Sequence, residues 1–167
     1  SFLLRGMEFS SEDIGLVRAF GIGATILGAF IGGALMPQLG LFRSLMVFGL
    51  LQALSNLSFL WLAWAGKSYA VMAFAVGFEN LTGGMGTAAF VALVMSLCNH
   101  RYTATQFALL SSVEALGRVF LGWPAAKLVG LAGWGPFFFV TFLAALPGLW
   151  LLWVLRKPVT QHAELNA

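Results

Sequence analysis

The sequence predicts an all-α protein, a polytopic transmembrane helix bundle with about five spanning helices. Hydrophobic residues make up 60% of the chain and charged residues only 9%, whereas a soluble domain has roughly 25% charged residues. The mean hydropathy is +0.91, and the apolar residues fall into runs of about 20 or more, the length that a helix needs to cross the hydrocarbon core. We therefore expect the lipid bilayer to surround this chain.

Five apolar runs are predicted to span the membrane, separated by short connectors that carry glycine, proline or charged residues. The predicted spans are 14–36, 45–65, 69–97, 105–131 and 136–155. Because the connectors are short, neighbouring spans are expected to run antiparallel. Residues 1–158 then form one transmembrane helical bundle, and residues 159–167 form a polar cytoplasmic tail.

The distribution of basic residues predicts the orientation of the bundle. On the C-terminal side the connectors and tail carry Arg43, Arg101, Arg156 and Lys157, and on the other side they carry Arg5 and Lys67. The positive-inside rule therefore places the C-terminus in the cytoplasm. When Arg18 and Lys127, near helix ends on the N-terminal side, are included, the two sides become equal and the rule no longer decides.

Several function classes are excluded by the residue pattern. The net charge is +3, but the basic residues are scattered, so no nucleic acid partner is expected. A single cysteine and the lack of a Cys/His cluster predict no metal site. Neither a Ser–His–Asp grouping nor a phosphate-binding loop is visible, so we expect no enzyme activity and no cofactor.

The third span contains a polar run at membrane depth. Its polar and glycine residues are Glu79, Asn80, Thr82, Gly83, Gly84 and Gly86. Ionisable residues inside a membrane usually face a cavity or pathway, so Glu79, with no cation one turn away, is a candidate for proton coupling. Each glycine weakens a helix by roughly 1 kcal/mol relative to alanine. The glycines therefore predict a bend or a broken turn, with backbone carbonyls facing a cavity.

The fourth span has a polar face formed by Ser111, Glu114 and Arg118. Their spacings of three and four residues place them together, and Glu114 and Arg118 have the spacing of an ion pair. Two interpretations remain open: the face binds substrate, or the two charges neutralise each other as a packing device. In the second span, Gln52 and Asn56 are expected to make interhelical hydrogen bonds.

Small residues recur at four-residue spacing, which favours close helix packing in a membrane. The series are Ala24-Gly28-Gly32, Gly84-Ala88-Ala92-Ser96 and Gly122-Ala126-Gly130. Five tryptophans near predicted helix ends are expected to anchor the bundle at the membrane interfaces. They are Trp61, Trp64, Trp134, Trp150 and Trp153.

Several segments of the sequence resemble the AmpG-type muropeptide permeases. The segments are 41–44, 52–56, 79–92, 97–99, 102–111 and 117–119, and the resemblance extends over about residues 2–153. It implies the C-terminal half of a major facilitator superfamily fold, with the five spans as the last five core helices and the N-terminal half missing. Pro37 and Gln38 occupy the acid and base positions of an Asp-Arg gating motif common in the superfamily, so that gating role is not expected here.

The resemblance also implies a function. It implies a proton-coupled permease of the bacterial inner membrane that imports anhydromuropeptides, a small-molecule substrate, for peptidoglycan recycling. Two other interpretations remain: a carrier of the same superfamily for a different solute, and a non-transporting membrane scaffold or assembly subunit. Further spans encoded upstream of Ser1 would favour transport, and a start codon at Ser1 would favour the scaffold.

Overall fold

The computed structural model describes the backbone of residues 11–65, 68–98 and 103–156. Within these ranges it does not describe the side chains of 11–14, 103, 114, 117, 118, 121–123, 125, 126 and 132. The described residues form five helices: α1 (Ser11–Leu39), α2 (Leu41–Ala65), α3 (Tyr69–Leu97), α4 (Thr103–Ala132) and α5 (Trp134–Val154). None of the described residues lies in a strand, and the predicted all-α helical fold is confirmed.

The helices overlap the five predicted spans, but the connectors are shorter than expected. The predicted connector 37–40 is reduced to Gly40, because α1 includes Pro37 and continues to Leu39. Gly40 has φ of 77°, a left-handed conformation in which glycine carries no steric penalty. Its N–H donates to the Met36 carbonyl oxygen at 2.9 Å, and its own carbonyl accepts the N–H of Ser44 at 3.0 Å. One residue therefore ends α1 and starts α2.

The connection between α4 and α5 is shortened in the same way. The predicted connector before residue 136 is reduced to Gly133, which has φ of 82°. Pro136 lies within the first turn of α5, where backbone N–H groups have no partner inside the helix and a proline loses no hydrogen bond. At the start of α3, the Ser68 side chain accepts a hydrogen bond from the Val71 N–H at 3.5 Å and so caps the helix.

Among the residues that the structure describes, four helical segments are long and apolar enough to cross a membrane. These segments are Gly15–Leu39, Leu41–Ala65, Tyr69–Leu97 and Trp134–Val154. The described residues of α4 include an apolar helical segment, Ala104–Val113, that is shorter than these four. Four candidate spans and a fifth long helix are consistent with the predicted transmembrane bundle.

Helix α3 lies at the centre of the packing, with extensive contacts along both α1 and α2, while α2 also packs along α5. One apolar cluster joins α2, α3 and α5 and consists of Phe59, Leu62, Met72, Ala75, Val76 and Phe138. Within it the rings of Phe59 and Phe138 stack with centroids 5.3 Å apart. A second cluster, Phe48, Met85 and Ala89, joins α2 and α3 nearer the other end. Helix α4 has smaller contacts, with α5 and α3.

The contact between α1 and α3 depends on glycine. A Cβ atom on Gly28 would collide with the carbonyl oxygen of Leu81, and one on Gly84 would collide with the carbonyl oxygen of Thr25. A Cβ on Gly32 would lie 2.9 Å from the Cα of Met85. These backbones therefore touch directly, and the predicted packing role of Gly28, Gly32 and Gly84 is confirmed.

Of the two predicted alternatives at Gly83, Gly84 and Gly86, the broken turn is wrong, because α3 is a continuous helix of 29 residues, and the bend stays a prediction. The low helix propensity of glycine is offset here by the close approach to α1 that Gly84 permits. The predicted small-residue series at 122–130 falls mainly on residues whose side chains are not described.

Four of the five tryptophans predicted as anchors point outward. The exposed fraction is 54% for Trp61, 77% for Trp64, 65% for Trp150 and 52% for Trp153. The guanidinium of Arg156 lies 5.5 Å from the centroid of the Trp153 ring, a cation–π contact near the end of α5. Trp134 begins α5, and it is partly buried, because it packs against Phe137 and Phe138.

Candidate functional site

A cavity of about 440 Å³ lies between α2, α3 and α4. It is lined by Gln52, Gly83, Gly86, Thr87, Phe90, Val91, Val94, Phe107 and Ser111. Gln52 is near the middle of α2, and the α3 residues belong to its C-terminal half. The cavity therefore extends from the middle of the bundle towards the end where α3 meets α4. Its size is within the range of small-molecule sites.

The spacing of the lining residues explains why α3 forms one wall. Gly83, Thr87, Phe90 and Val94 follow one another at intervals of three or four residues, so they share one face of the helix. Glycine at two of the lining positions leaves space that a side chain would otherwise fill. The Thr87 hydroxyl donates to the Gly83 carbonyl oxygen at 2.8 Å, so its hydrogen is used inside the helix.

Three of the predicted site residues line this cavity: Gly83, Gly86 and Ser111. Glu79 is four residues before Gly83 and so lies on the same face of α3, one turn closer to its N-terminal end. Its side chain is partly buried, and no hydrogen bond or ion pair joins its carboxylate to another side chain among the described residues. A carboxylate in that position is open to a proton, a solute or a residue outside the described ranges.

Asn80 has its polar partners inside the bundle. The Thr25 hydroxyl on α1 donates to Asn80 Oδ1 at 3.0 Å, and Asn80 Nδ2 donates to the Val76 carbonyl oxygen at 2.8 Å. Gly21 makes room for this amide, because a Cβ there would lie 2.9 Å from Nδ2. Asn80 therefore joins α1 to α3 and does not line the cavity.

Thr82 is buried, with 1% of its surface exposed. Its hydroxyl lies 2.8 Å from the Phe78 carbonyl oxygen and 3.1 Å from that of Glu79, both within α3. Gly84 is occupied by the contact with α1. The structure thus separates a run of neighbouring residues into cavity positions and packing positions.

The predicted face of α4 is described only in part. Ser111 reaches the cavity, whereas the side chains of Glu114 and Arg118 lie outside the described residues. The helix continues through both positions, so they are about one and two turns beyond Ser111 along α4. The predicted ion pair and the predicted contact with substrate both stay predictions.

Gln52 is a cavity residue that sequence reasoning assigned a different role. It was expected to make an interhelical hydrogen bond, but its Oε1 atom is buried and has no hydrogen-bond partner among the described residues. A Cβ on Gly83 would lie 3.4 Å from this oxygen, so the amide is next to the bare backbone of α3. The sequence feature that could have indicated a cavity position for Gln52 is an amide side chain near the middle of one span, beside a glycine-rich helix.

A second cavity, of about 520 Å³, lies between α1 and α3. Its lining is apolar and consists of Phe20, Gly23, Ala24, Leu27, Ala73, Phe74, Gly77, Phe78 and Leu81. Phe20 and Phe74 are 58% and 54% exposed. This cavity offers no polar side chain that could orient a polar solute.

The described residues contain no group of three His, Cys, Asp or Glu side chains that could hold a metal ion. Cys98 is buried at the end of α3 and is a free thiol. The chemistry available at the cavity is therefore hydrogen bonding and apolar contact, with the Glu79 carboxyl one turn away.

Comparison with known proteins connects this bundle to a group of permeases. The chain is 49% identical to the anhydromuropeptide permease of Escherichia coli (strain K12) over 167 residues, which cover 99% of the chain and 34% of that protein. It is 38% identical over 154 residues to putative transporter AmpG 4 of Rickettsia felis, covering 92% of the chain and 37% of the relative. It is 32% identical over 159 residues to putative transporter AmpG 1 of Rickettsia prowazekii, covering 95% and 36%.

No family model matches the chain. The chain spans about a third of the length of the curated relatives that it matches. Across nearly all of its own length, the chain is therefore homologous to the AmpG-type permeases.

Proposed function

We propose that this chain is part of a proton-coupled secondary transporter that imports anhydromuropeptides across the bacterial inner membrane for peptidoglycan recycling. The observation that carries the proposal is the 49% identity to an anhydromuropeptide permease along the whole chain. The architecture supports it, since membrane-length helices border a cavity that begins near the middle of α2 and α3 and has polar groups in its lining, and secondary transporters bind their solutes near the middle of their helices.

The proposal assigns different tasks to the polar residues. Gly83, Gly86 and Ser111 form part of the solute cavity, since they line it. Glu79 couples transport to protons, because it lies on the cavity face of α3 and has no polar side-chain partner among the described residues. Glu114 and Arg118 extend the solute-binding face along α4, where the Arg118 guanidinium suits a carboxylate of the substrate.

The five helices are proposed to work with a further bundle of the same transporter, its N-terminal half. Alternating access in such carriers comes from one repeat moving against another around a site between them. The relatives are about three times as long as this chain, which leaves room for a second repeat. We therefore expect the five helices by themselves to bind solute weakly and not to transport it.

Uptake of a labelled anhydromuropeptide tests this proposal. Inverted and right-side-out vesicles containing the complete gene product should accumulate the label when a proton gradient is imposed, and a protonophore should abolish the accumulation. Vesicles that contain only residues 1–167 should take up no more than vesicles without the protein.

Two results would contradict the proposal. If the complete gene product takes up another solute but no muropeptide, it is a carrier for that other solute. If the complete gene product takes up no solute and binds another membrane protein stably, it is a scaffold or assembly subunit.

A further inference from the structure

Gln52 has a polar atom whose hydrogen-bonding capacity is not used within the described residues. Its Oε1 is buried and has no hydrogen-bond partner there. Its neighbours on α2 differ, because Ser55 donates to the Gln52 carbonyl oxygen at 2.7 Å and Ser58 donates to the Ser55 carbonyl oxygen at 2.6 Å. A buried acceptor without a donor raises the free energy of the folded state, so a donor brought by a ligand would be bound favourably.

The neighbour of this amide on α3 is Gly83. A Cβ at that position would lie 3.4 Å from Oε1, which is van der Waals distance. Gln52 and Gly83 both line the cavity, so the pair forms a polar corner of it. Oε1 itself is covered in the structure, so accepting a hydrogen bond from a solute requires the terminal amide of Gln52 to rotate towards the cavity.

The rest of the lining limits the kind of group that this corner can receive. No charged side chain is among the lining residues that the structure describes, so a charged group would lose its hydration without gaining a counter-charge. Phe90 and Phe107 supply apolar surface, and Ser111 supplies a second hydroxyl. An uncharged group that carries hydroxyls or amides on an apolar frame fits this combination.

We infer that Gln52 is a specificity-determining residue, whose side-chain amide accepts a hydrogen bond from an uncharged hydroxyl or amide N–H of the solute. The inference rests on the proposed function, because the transported solute is taken to be the ligand. It adds a residue and a class of contact that homology to the permeases does not specify.

The primary test replaces Gln52 with methionine in the complete gene product. Gln52→Met keeps an unbranched side chain of similar length and removes both the donor and the acceptor. We expect the half-saturating concentration for labelled anhydromuropeptide to rise about tenfold, which corresponds to about 1.4 kcal/mol.

Solute analogues identify the contact. Analogues in which single hydroxyls are replaced by hydrogen, or single amide nitrogens by methylated ones, are compared as competitors of uptake. One analogue should compete less well than the parent solute with the wild-type protein and equally well with Gln52→Met. Such non-additivity reports a direct contact, and a structural role for Gln52 would not produce it.

A second set of variants acts on the same oxygen from α3. Gly83→Ser places a hydroxyl within reach of Oε1 and should compete with the solute, raising the half-saturating concentration several-fold. Gly83→Ala adds only a methyl group and should have a smaller effect. Gly86→Ser adds the same hydroxyl to the same cavity at a position where a Cβ meets no atom within 4 Å, so it should also have a smaller effect.

The outcomes separate the two proposals. Absence of uptake by the wild-type protein overturns the proposed function and this inference with it. The inference alone is overturned if the wild-type protein takes up the solute normally and Gln52→Met behaves in the same way. That means an unchanged affinity for the solute and the same ranking of the analogues as competitors. Should Gln52→Met fail to accumulate in the membrane, the comparison of Gly83→Ser with Gly86→Ser decides, and equal effects of those two variants count against Gln52.

Discussion

Neighbouring polar residues on α3 have different surroundings because each residue of a helix is turned by about 100° from the one before. Glu79 lies on the face that continues into the cavity, whereas Asn80 is turned towards α1 and is hydrogen-bonded to Thr25. Thr82 is buried and bonds to its own helix. Substitutions at these three positions should therefore have different consequences.

Glu79→Gln tests the proposed role of Glu79 in proton coupling. Glutamine has the shape of a protonated glutamate and cannot ionise, so the variant should lose accumulation of muropeptide against a gradient. Exchange of labelled for unlabelled solute needs no net proton movement and should continue. Measuring both activities in the same vesicle preparation distinguishes coupling from binding.

Glu79→Asp is the matched control, because it keeps a titratable carboxyl and shortens the side chain by one methylene. It should retain part of the gradient-driven accumulation. Full accumulation by Glu79→Gln would remove Glu79 from the coupling mechanism, and loss of exchange in that variant would instead indicate a contact with the solute.

At the scale of elements, the α1–α3 pair is the most closely packed part of the bundle. Gly28 and Gly84 approach the carbonyl oxygens of Leu81 and Thr25 so closely that no Cβ fits. Lipid gives helices no hydrophobic reason to associate, so this direct backbone contact supplies much of the attraction. Other positions on α1 are exposed, as at Leu16 and Phe30, which are 75% and 74% exposed.

Gly28→Ala should destabilise the bundle. The added methyl group must push α1 away from the Leu81 carbonyl, and overpacking of this kind costs about 1–3 kcal/mol. The free energy of unfolding in mixed detergent and SDS micelles measures the effect in the complete gene product.

Gly33→Ala is the control for helix propensity on the same helix. A Cβ at Gly33 meets no atom within 4 Å, so this variant should unfold at the same or a higher SDS fraction, with a gain of up to about 1 kcal/mol from propensity. Equal stability of Gly28→Ala and Gly33→Ala would show that α1 and α3 are not in backbone contact in the membrane.

At the scale of the whole molecule, the basic residues predict which side faces the cytoplasm. A reporter fused after Lys157 should report a cytoplasmic location: green fluorescent protein should fluoresce and alkaline phosphatase should be inactive. A fusion in the connector at Gly66 and Lys67, on the opposite side of the bundle, should give the reverse pattern.

The reverse result at both positions would overturn the orientation. The fusions are compared in the complete gene product, because flanking spans influence orientation.

By itself the sequence determined the all-α membrane bundle, the approximate position of each helix and the relationship to the permeases. Hydrophobic runs of membrane length leave few alternatives, because every backbone polar group in lipid must be bonded within its own segment. The helix ends were less predictable: residues 37–39 and 134–135 were expected in connectors, but single glycines with positive φ end and start the helices.

Only the tertiary structure decided which residues of the glycine-rich run meet the cavity and which meet another helix. Gly83 and Gly84 are adjacent in sequence, but Gly83 faces Gln52 and Gly84 touches Thr25. Local propensity treats the two alike and predicted a bend or a broken turn, whereas the rotation of α3 between α1 and α2 gives them different neighbours. For the same reason Gln52 could not be recognised as a cavity residue, since its significance depends on what α3 places opposite its amide.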